Sequence, residues 1–191
     1  SLAALLNLSG QQFVDAYTDL NEVAERSLLA QAIGQKIAIE KREMERERKL
    51  QEFASGNVSA PLFILYDIND HKVNLYDYRG KWVILDFWGS WAPACADDFP
   101  NLKEAYEKYR PELEVLGIDC QDSDDAWKEA VKQYELPWVN LYSTKSYNLE
   151  QNYGVREFPT KMIVNPEGKI VDVTVGNDPD FYTRLAKFLD K

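Results

Sequence analysis

A cysteine beside a predicted strand-to-helix junction is the clearest chemical feature of this sequence. Residues 83–88 form an apolar run with one aspartate, residues 89–90 are Gly-Ser, and Pro93-Ala94-Cys95 opens a stretch with helical character. Unpaired N–H groups and the positive end of a helix dipole stabilise a thiolate at such a position. We therefore predict thiol chemistry at Cys95, which a buried strand delivers to the first turn of a helix.

Two other residues point to the same site. Asp86 is a lone carboxylate within the apolar run. If it is buried, desolvation raises its pKa and makes it a candidate proton acceptor for a nearby thiol; an aspartate that faces water at the strand edge is the alternative. Pro159 precedes another predicted strand, and a proline at a strand entry can have a cis peptide bond.

Composition excludes several classes of protein. The 191 residues are 45% hydrophobic, which is enough for one main domain with an appendage. The net charge of −10 comes without a basic stripe, which argues against nucleic acid as a partner. Two cysteines and one histidine argue against a structural zinc site, and we expect no metal and no cofactor. The sequence has neither an apolar run of about 18 residues nor a signal-peptide pattern, which leaves the compartment open.

The remaining cysteine and the histidine have simpler interpretations. His71 follows a predicted turn, so we expect it at the surface. Cys120 follows a predicted strand and is interpreted as a small buried apolar side chain. A disulfide with Cys95 needs Cα atoms within about 7 Å, which nothing in the sequence encodes. We predict two free thiols.

The N-terminal part of the chain differs from the rest. Apolar spacing predicts helix over residues 9–53, and Gly34 leaves open whether this is one helix or two. Residues 54–61 have the composition of a linker. We therefore predict an N-terminal helical region at residues 1–55 and a second domain at residues 56–191.

The second domain is predicted to alternate strands with helices. Residues 62–66 and 72–75 read as a hairpin. The later strands are predicted at residues 82–88, 113–119, 138–141, 160–164 and 169–175, and the helices at 93–109, 123–134, 146–153 and 178–189. This order predicts an α/β sandwich, with the cysteine at the carboxyl edge of its sheet.

Three stretches together carry a family resemblance. Residues 83–95, 153–160 and 165–169 resemble the thioredoxin superfamily and are most similar to the TlpA/ResA-like thiol-disulfide oxidoreductases of bacterial envelopes, which overlap with the AhpC/TSA group. The resemblance covers about residues 60–190. It implies a thioredoxin-like α/β/α sandwich with a central mixed sheet, here preceded by the N-terminal helical region.

The resemblance also implies roles for individual residues. The family motif is Trp-Cys-x-x-Cys; Trp91 and Cys95 match its tryptophan and second cysteine, and Ala92 stands where the first cysteine belongs. It implies that Asp86 manages the proton of the second thiol and that Pro159 is cis. Partner binding is implied for four residues: Trp91, Pro93, Phe158 and Thr160.

The alanine changes what the resemblance implies about activity. In the family the first thiolate attacks a disulfide and the second thiol resolves the mixed disulfide. A methyl group at Ala92 performs neither step, so Cys95 is a resolving thiol without its partner and dithiol exchange is expected to be absent. The alanine is either an engineered replacement within a Cys-Pro-Ala-Cys motif or a natural residue, and the otherwise intact site favours replacement.

Three functions follow from these observations. The first is a thiol-disulfide oxidoreductase that acts on protein dithiols and disulfides. The resemblance implies that such an enzyme is periplasmic or anchored to the envelope, and a membrane tether upstream of this sequence is compatible with that. The second is a non-catalytic module that binds an extended segment beside Pro159. The third and weakest is a single-cysteine peroxidase, because Trp88 and Ala92 replace the proline and threonine of the peroxiredoxin motif. The sequence does not fix the oligomeric state.

Overall fold

A computed structural model describes residues 7–8, 10–18, 28–56, 58–144 and 147–190. The chain divides into two compact units, Ser1–Lys49 and Leu50–Lys191. The domain boundary expected between residues 55 and 56 stays a prediction. None of the helices in the described ranges is long and apolar enough to cross a membrane.

Two helices lie in the described part of the first unit or begin there. Helix α1 spans Gly10–Thr18, and helix α2 begins at Leu28 and ends at Ala54, without a break at Gly34. Phe13, Ile33 and Ile37 are buried together, as their spacing predicts. The part of the predicted helix at residues 19–27 lies outside the described residues.

The second unit alternates strands and helices, as predicted. A short 3-10 helix at Leu75–Tyr78 precedes the strand Trp82–Trp88. The strands are β1 Val58–Ser59, β2 Ile64–Tyr66, β3 Lys72–Asn74, β4 Trp82–Trp88, β5 Leu113–Cys120, β6 Val139–Ser143, β7 Thr160–Val164 and β8 Lys169–Val175; the helices are α3 Pro93–Tyr109, α4 Asp124–Gln133, α5 Leu149–Asn152 and α6 Asp180–Leu189.

The strands form a central mixed sheet in the order β1-β8-β7-β4-β5-β6. β4 pairs in parallel with β5 and antiparallel with β7, and β2 and β3 form a separate two-stranded sheet. The linker predicted at residues 54–61 is wrong in part, because Val58–Ser59 pairs with β8. The predicted sandwich with a mixed sheet is confirmed.

β4 lies at the centre of the sheet and separates two apolar clusters. Leu85 and Phe87 belong to one cluster, whereas Ile84 and Trp88 belong to the other, together with side chains of α3. This alternation follows from the two-residue period of a strand. It places the intervening Asp86 on the face covered by α3, and it directs the end of β4 into the turn that starts that helix.

Candidate functional site

The turn after β4 leads directly into α3. Ala92 N donates to the carbonyl of Gly89 (3.1 Å), and Cys95 N donates to the carbonyl of Ala92 (3.0 Å). Ala92 is the N-cap residue in an extended conformation and gives the helix no side-chain cap. The first N–H groups of α3 are therefore left without the oxygen acceptor that a Ser, Thr or Asp cap supplies. A nucleophile or an anion at position 92 would meet the positive end of this helix.

Cys95 does not have the environment that its sequence position predicts. The side chain is 2% exposed, and burial raises the pKa of its thiol to about 12, although the backbone N–H of Gly89 partly opposes this. The expected helix-stabilised thiolate is therefore wrong for Cys95, because desolvation outweighs the helix dipole. Cys120 is also buried, with a pKa well above the usual value. Both thiols are free, as predicted.

Asp86 is a buried carboxyl paired with a lysine. Asp86 and Lys161 are Cα partners in the antiparallel ladder, and Asp86 Oδ1 lies 3.5 Å from Lys161 Nζ. Burial raises the pKa of Asp86, and the ammonium of Lys161 only partly opposes this. The prediction of a buried acid with a raised pKa is confirmed, and the alternative of an aspartate facing water is wrong.

Sequence reasoning missed the partners of this acid. Lys161 Nζ lies 2.5 Å from Asp98 Oδ2, and the hydroxyl of Tyr182 donates to the same oxygen (2.8 Å). Burial alone would lower the pKa of Lys161, but Asp86 and Asp98 raise it, so the ammonium stays charged. Two signals were available: Lys161 is a charged residue in an apolar strand, and Asp98 lies one helical turn after Cys95.

The loop before β7 faces the start of α3. The Phe158–Pro159 peptide bond is cis, as predicted. The rings of Trp91 and Phe158 meet edge to face, with centroids 5.3 Å apart. Trp91 is 51% exposed, and Pro93 is also exposed. The structure therefore places three of the four expected partner-binding residues on or near the surface.

Thr160 differs from the other three. Its side chain is fully buried, and its hydroxyl donates to the carbonyl of Glu157 (2.7 Å). The carbonyl of Pro159 accepts from Gly176 N (2.7 Å). The Phe158 backbone makes no hydrogen bond to another backbone group in the described ranges.

The other features of the chain lie away from this site. His71 is exposed in its turn, as predicted, with Nδ1 3.2 Å from Asp67 Oδ2. No group of three or more Cys, His, Asp or Glu side chains within the described ranges could hold a metal ion.

A mixed sheet flanked by helices, with a cis-proline loop facing a strand-to-helix turn, defines a thioredoxin-like protein. The family model described as AhpC/TSA family matches residues 57–173. This chain belongs to the AhpC/TSA family.

Two curated relatives are similar to this chain. The thiol-disulfide oxidoreductase ResA of Bacillus thuringiensis subsp. konkukian is 34% identical over 133 residues, which are 69% of this chain and 75% of the relative. ResA of Bacillus subtilis is 32% identical over 127 residues, 66% of this chain and 70% of the relative.

Solved structures show the same likeness. The thioredoxin domain of a thiol-disulfide oxidoreductase from Bacteroides vulgatus aligns with a TM-score of 0.65 and 27% identity, over 70% of this chain and 97% of that one. The exposed lipoprotein thioredoxin Etrx1 of Streptococcus pneumoniae aligns with a TM-score of 0.59 and 27% identity, over 68% of this chain and 100% of that one.

Proposed function

We propose that this chain is a thiol-disulfide oxidoreductase that lacks its attacking thiol and therefore does not turn over disulfides. One observation carries the proposal: Ala92 occupies the N-cap of α3 with no side-chain cap, and the buried Cys95 follows one helical turn later. The names of the relatives support the class of enzyme.

Each thiol of such a site has a separate task. The first, as thiolate, attacks one sulfur of a partner disulfide; a mixed disulfide forms and the other sulfur leaves as a thiolate. The second thiol then attacks the mixed disulfide and releases the reduced partner. The helix terminus at position 92 suits the first task, whereas the buried thiol of Cys95 suits only the second. Ala92 supplies no sulfur for the first attack.

The buried charges act electrostatically on the thiol of Cys95. Asp86 lies on the face of β4 that packs against α3, and its negative charge acts on Cys95. A carboxyl with a raised pKa is a better match to a thiol than an ordinary carboxylate is. We assign proton transfer to Asp86, and to Lys161 and Asp98 the positioning of that carboxyl.

The partner is a protein segment that carries a disulfide or a dithiol. We assign its binding to Trp91, Pro93 and Phe158, with the backbone of Phe158 available to pair with an extended strand beside Pro159. Thr160 holds this loop through its bond to the carbonyl of Glu157. The same surface supports the second candidate function, a module that binds such a segment without turnover.

A single-cysteine peroxidase is the weaker candidate. Peroxide reduction needs a reactive thiolate. Burial raises the pKa of Cys95 to about 12, which opposes this chemistry at neutral pH.

We place the protein in the bacterial envelope, where disulfides persist. The likeness to an exposed lipoprotein thioredoxin supports this location, and a membrane tether upstream of the present sequence is compatible with it.

Restoring the thiol tests the proposal. Ala92→Cys should catalyse the reduction of insulin disulfides by dithiothreitol, whereas the parent chain and the matched control Ala92→Ser should stay at the uncatalysed rate. Ala92→Ser adds a polar atom of similar size without redox chemistry. A folded but inactive Ala92→Cys variant would contradict the oxidoreductase and favour the binding module.

A further inference from the structure

The loop between β8 and α6 joins the two segments that carry the proposed partner-binding surface. Gly176 N, in this loop, donates to the carbonyl of Pro159 (2.7 Å), in the cis-proline loop. The side-chain Nδ2 of the next residue, Asn177, donates to the carbonyl of Ala94 (2.8 Å), in the first turn of α3. Two consecutive residues therefore connect the cis-proline loop to the start of the helix.

A second contact joins the same two segments. The ring of Trp91 meets the ring of Phe158 edge to face, with centroids 5.3 Å apart, and the indole N–H of Trp91 donates to the carbonyl of Cys120 (3.2 Å). Along the chain, Ala92 lies between Trp91 and Ala94, and both of these residues are bonded to distant segments. The position from which a thiol would attack is thus held on either side.

The base of the loop is fixed as well. Arg184 of α6 donates to the carboxylates of Asp178 (2.9 Å), in the loop, and of Asp172 (2.8 Å), in β8. The other oxygen of Asp178 accepts from Asp180 N (3.0 Å), at the start of α6. Asn177 therefore extends its amide from a backbone that is tied to the strand before it and to the helix after it.

We propose that Asn177 is a positioning residue that holds the start of α3 at a fixed distance from the cis-proline loop, and that this spacing favours extended protein segments over small disulfides. An extended segment contacts both parts of the surface at once, so it binds best where their spacing is set in advance. A small disulfide needs to reach position 92 alone. The preference between substrates rests on the proposed function, whereas the connection through Asn177 does not.

The side chain of Asn177 can be changed without disturbing the core, because it is exposed. Asn177→Ala removes the donor. Asn177→Asp keeps the shape of the side chain but places an oxygen, which cannot donate when ionised, opposite the carbonyl of Ala94. The matched control is Asn69→Ala, which replaces another exposed asparagine in the turn between β2 and β3.

Hydrogen exchange in the present chain tests the connection by itself. The N–H of Gly176 should exchange about threefold faster in Asn177→Ala and in Asn177→Asp, because opening of the loop then breaks one hydrogen bond fewer. Its exchange in Asn69→Ala should match that of the parent. Equal exchange of the Gly176 N–H in the parent and in both Asn177 variants would overturn the proposal.

Restoring the thiol tests the preference between substrates. Reduced Ala92→Cys protein is reacted in a single turnover with insulin and with an aromatic disulfide; each reaction oxidises the dithiol of the protein to a disulfide and reduces one substrate disulfide to two thiols. Adding Asn177→Ala should lower the ratio of the insulin rate to the aromatic-disulfide rate by about threefold. Adding Asn69→Ala should leave that ratio as it is.

An unchanged ratio with Asn177→Ala would show that Asn177 does not favour extended segments. If Ala92→Cys reacts with neither disulfide, the oxidoreductase proposal fails and the preference between substrates fails with it. The exchange of Gly176 is measured without any thiol at position 92, so it still decides whether Asn177 connects the two segments.

Discussion

Asp86 on β4 and Lys161 on β7 face each other across an antiparallel ladder and form an ion pair of 3.5 Å in the interior of the protein. Asp98 contacts the same ammonium from α3 at 2.5 Å. Two carboxyl groups thus share one cation, so full ionisation would leave one negative charge in excess. Burial raises the pKa of Asp86, the ammonium of Lys161 only partly opposes this, and the negative charge of Asp98 adds to the rise.

Removing the shared cation should destabilise the protein. Lys161→Met leaves the carboxyl groups of Asp86 and Asp98 buried without a cation, so we expect the free energy of unfolding at pH 7 to fall by about 3–5 kcal/mol. The loss should be smaller at pH 5, because the buried carboxyl of Asp86, whose pKa is already raised in the parent, takes up a proton more readily there once the cation is gone. Urea unfolding at both pH values measures this.

Lys187 provides the matched control. It is an exposed lysine in α6, and Lys187→Met should change the free energy of unfolding by no more than about 0.5 kcal/mol. Equal losses for Lys161→Met at the two pH values would contradict the electrostatic account.

Features within one segment could be predicted from the sequence, and features that join distant segments could not. A lone carboxylate in an apolar strand identifies Asp86, and Ser123 caps α4 as its residue type and position predict, since its hydroxyl accepts from Ala126 N (3.2 Å). Lys161 was missed because the β4–β7 register decides its partner. The strand at Val58–Ser59 was missed because β8 supplies its hydrogen bonds.

Asp119 was missed for a related reason. From the sequence, an aspartate near the end of a strand is usually interpreted as a polar loop residue. Asp119 is buried only because β4, β6 and α5 pack around β5. The resemblance, by contrast, located Ala92, Pro159 and Trp91, whose spacing in the motif is visible in the sequence.

Asp119→Asn should stabilise the protein increasingly as the pH rises. The pKa of Asp119 is about 9 in the folded chain and about 4 in the unfolded chain. Between these values the folded parent holds a proton that the unfolded parent has released, so the parent loses stability by at most about 1.4 kcal/mol per pH unit. Asparagine carries no such proton.

The difference in unfolding free energy between Asp119→Asn and the parent should therefore grow from pH 5 to pH 9 and then become constant. Denaturant unfolding across this range measures it, with Asp97→Asn as the exposed control. A difference that does not depend on pH would show that Asp119 is ionised in the folded protein at neutral pH.

Gly89→Ala should displace the Trp91 indole with little loss of stability. The added methyl group would lie 2.5 Å from Trp91 Nε1, but this ring is half exposed and can rotate away. We expect acrylamide to quench the fluorescence of Trp91 more strongly in this variant. The Trp91 contribution is obtained by subtracting the signal of a matched protein that carries Trp91→Phe. The free energy of unfolding should fall by about 1 kcal/mol, the value of one hydrogen bond. Unchanged quenching would contradict the close packing of Trp91 on Gly89.

Cys95 should react slowly and with a steep pH dependence. Because its thiol has a pKa of about 12, the thiolate fraction rises about tenfold per pH unit from pH 7 to pH 10 without reaching a plateau. Alkylation by iodoacetamide, followed by mass spectrometry of the Cys95 peptide, measures this. The Cys95→Ala variant measures the background alkylation of the buried Cys120. A plateau near pH 8.5 would mean that Cys95 is accessible to water.

We propose that a thiol of this fold attacks from position 92 and not from Cys95. The most direct test compares two proteins that differ in which of these positions carries the thiol: the parent and Ala92→Cys/Cys95→Ala, each reacted with an aromatic disulfide at pH 7. A thiol with an ordinary pKa of about 8.5, compared with one of about 12, should form the mixed disulfide about 50-fold faster, after allowance for its lower intrinsic nucleophilicity. We expect at least that ratio in favour of position 92, whereas equal rates or faster reaction of Cys95 would show that this assignment is wrong.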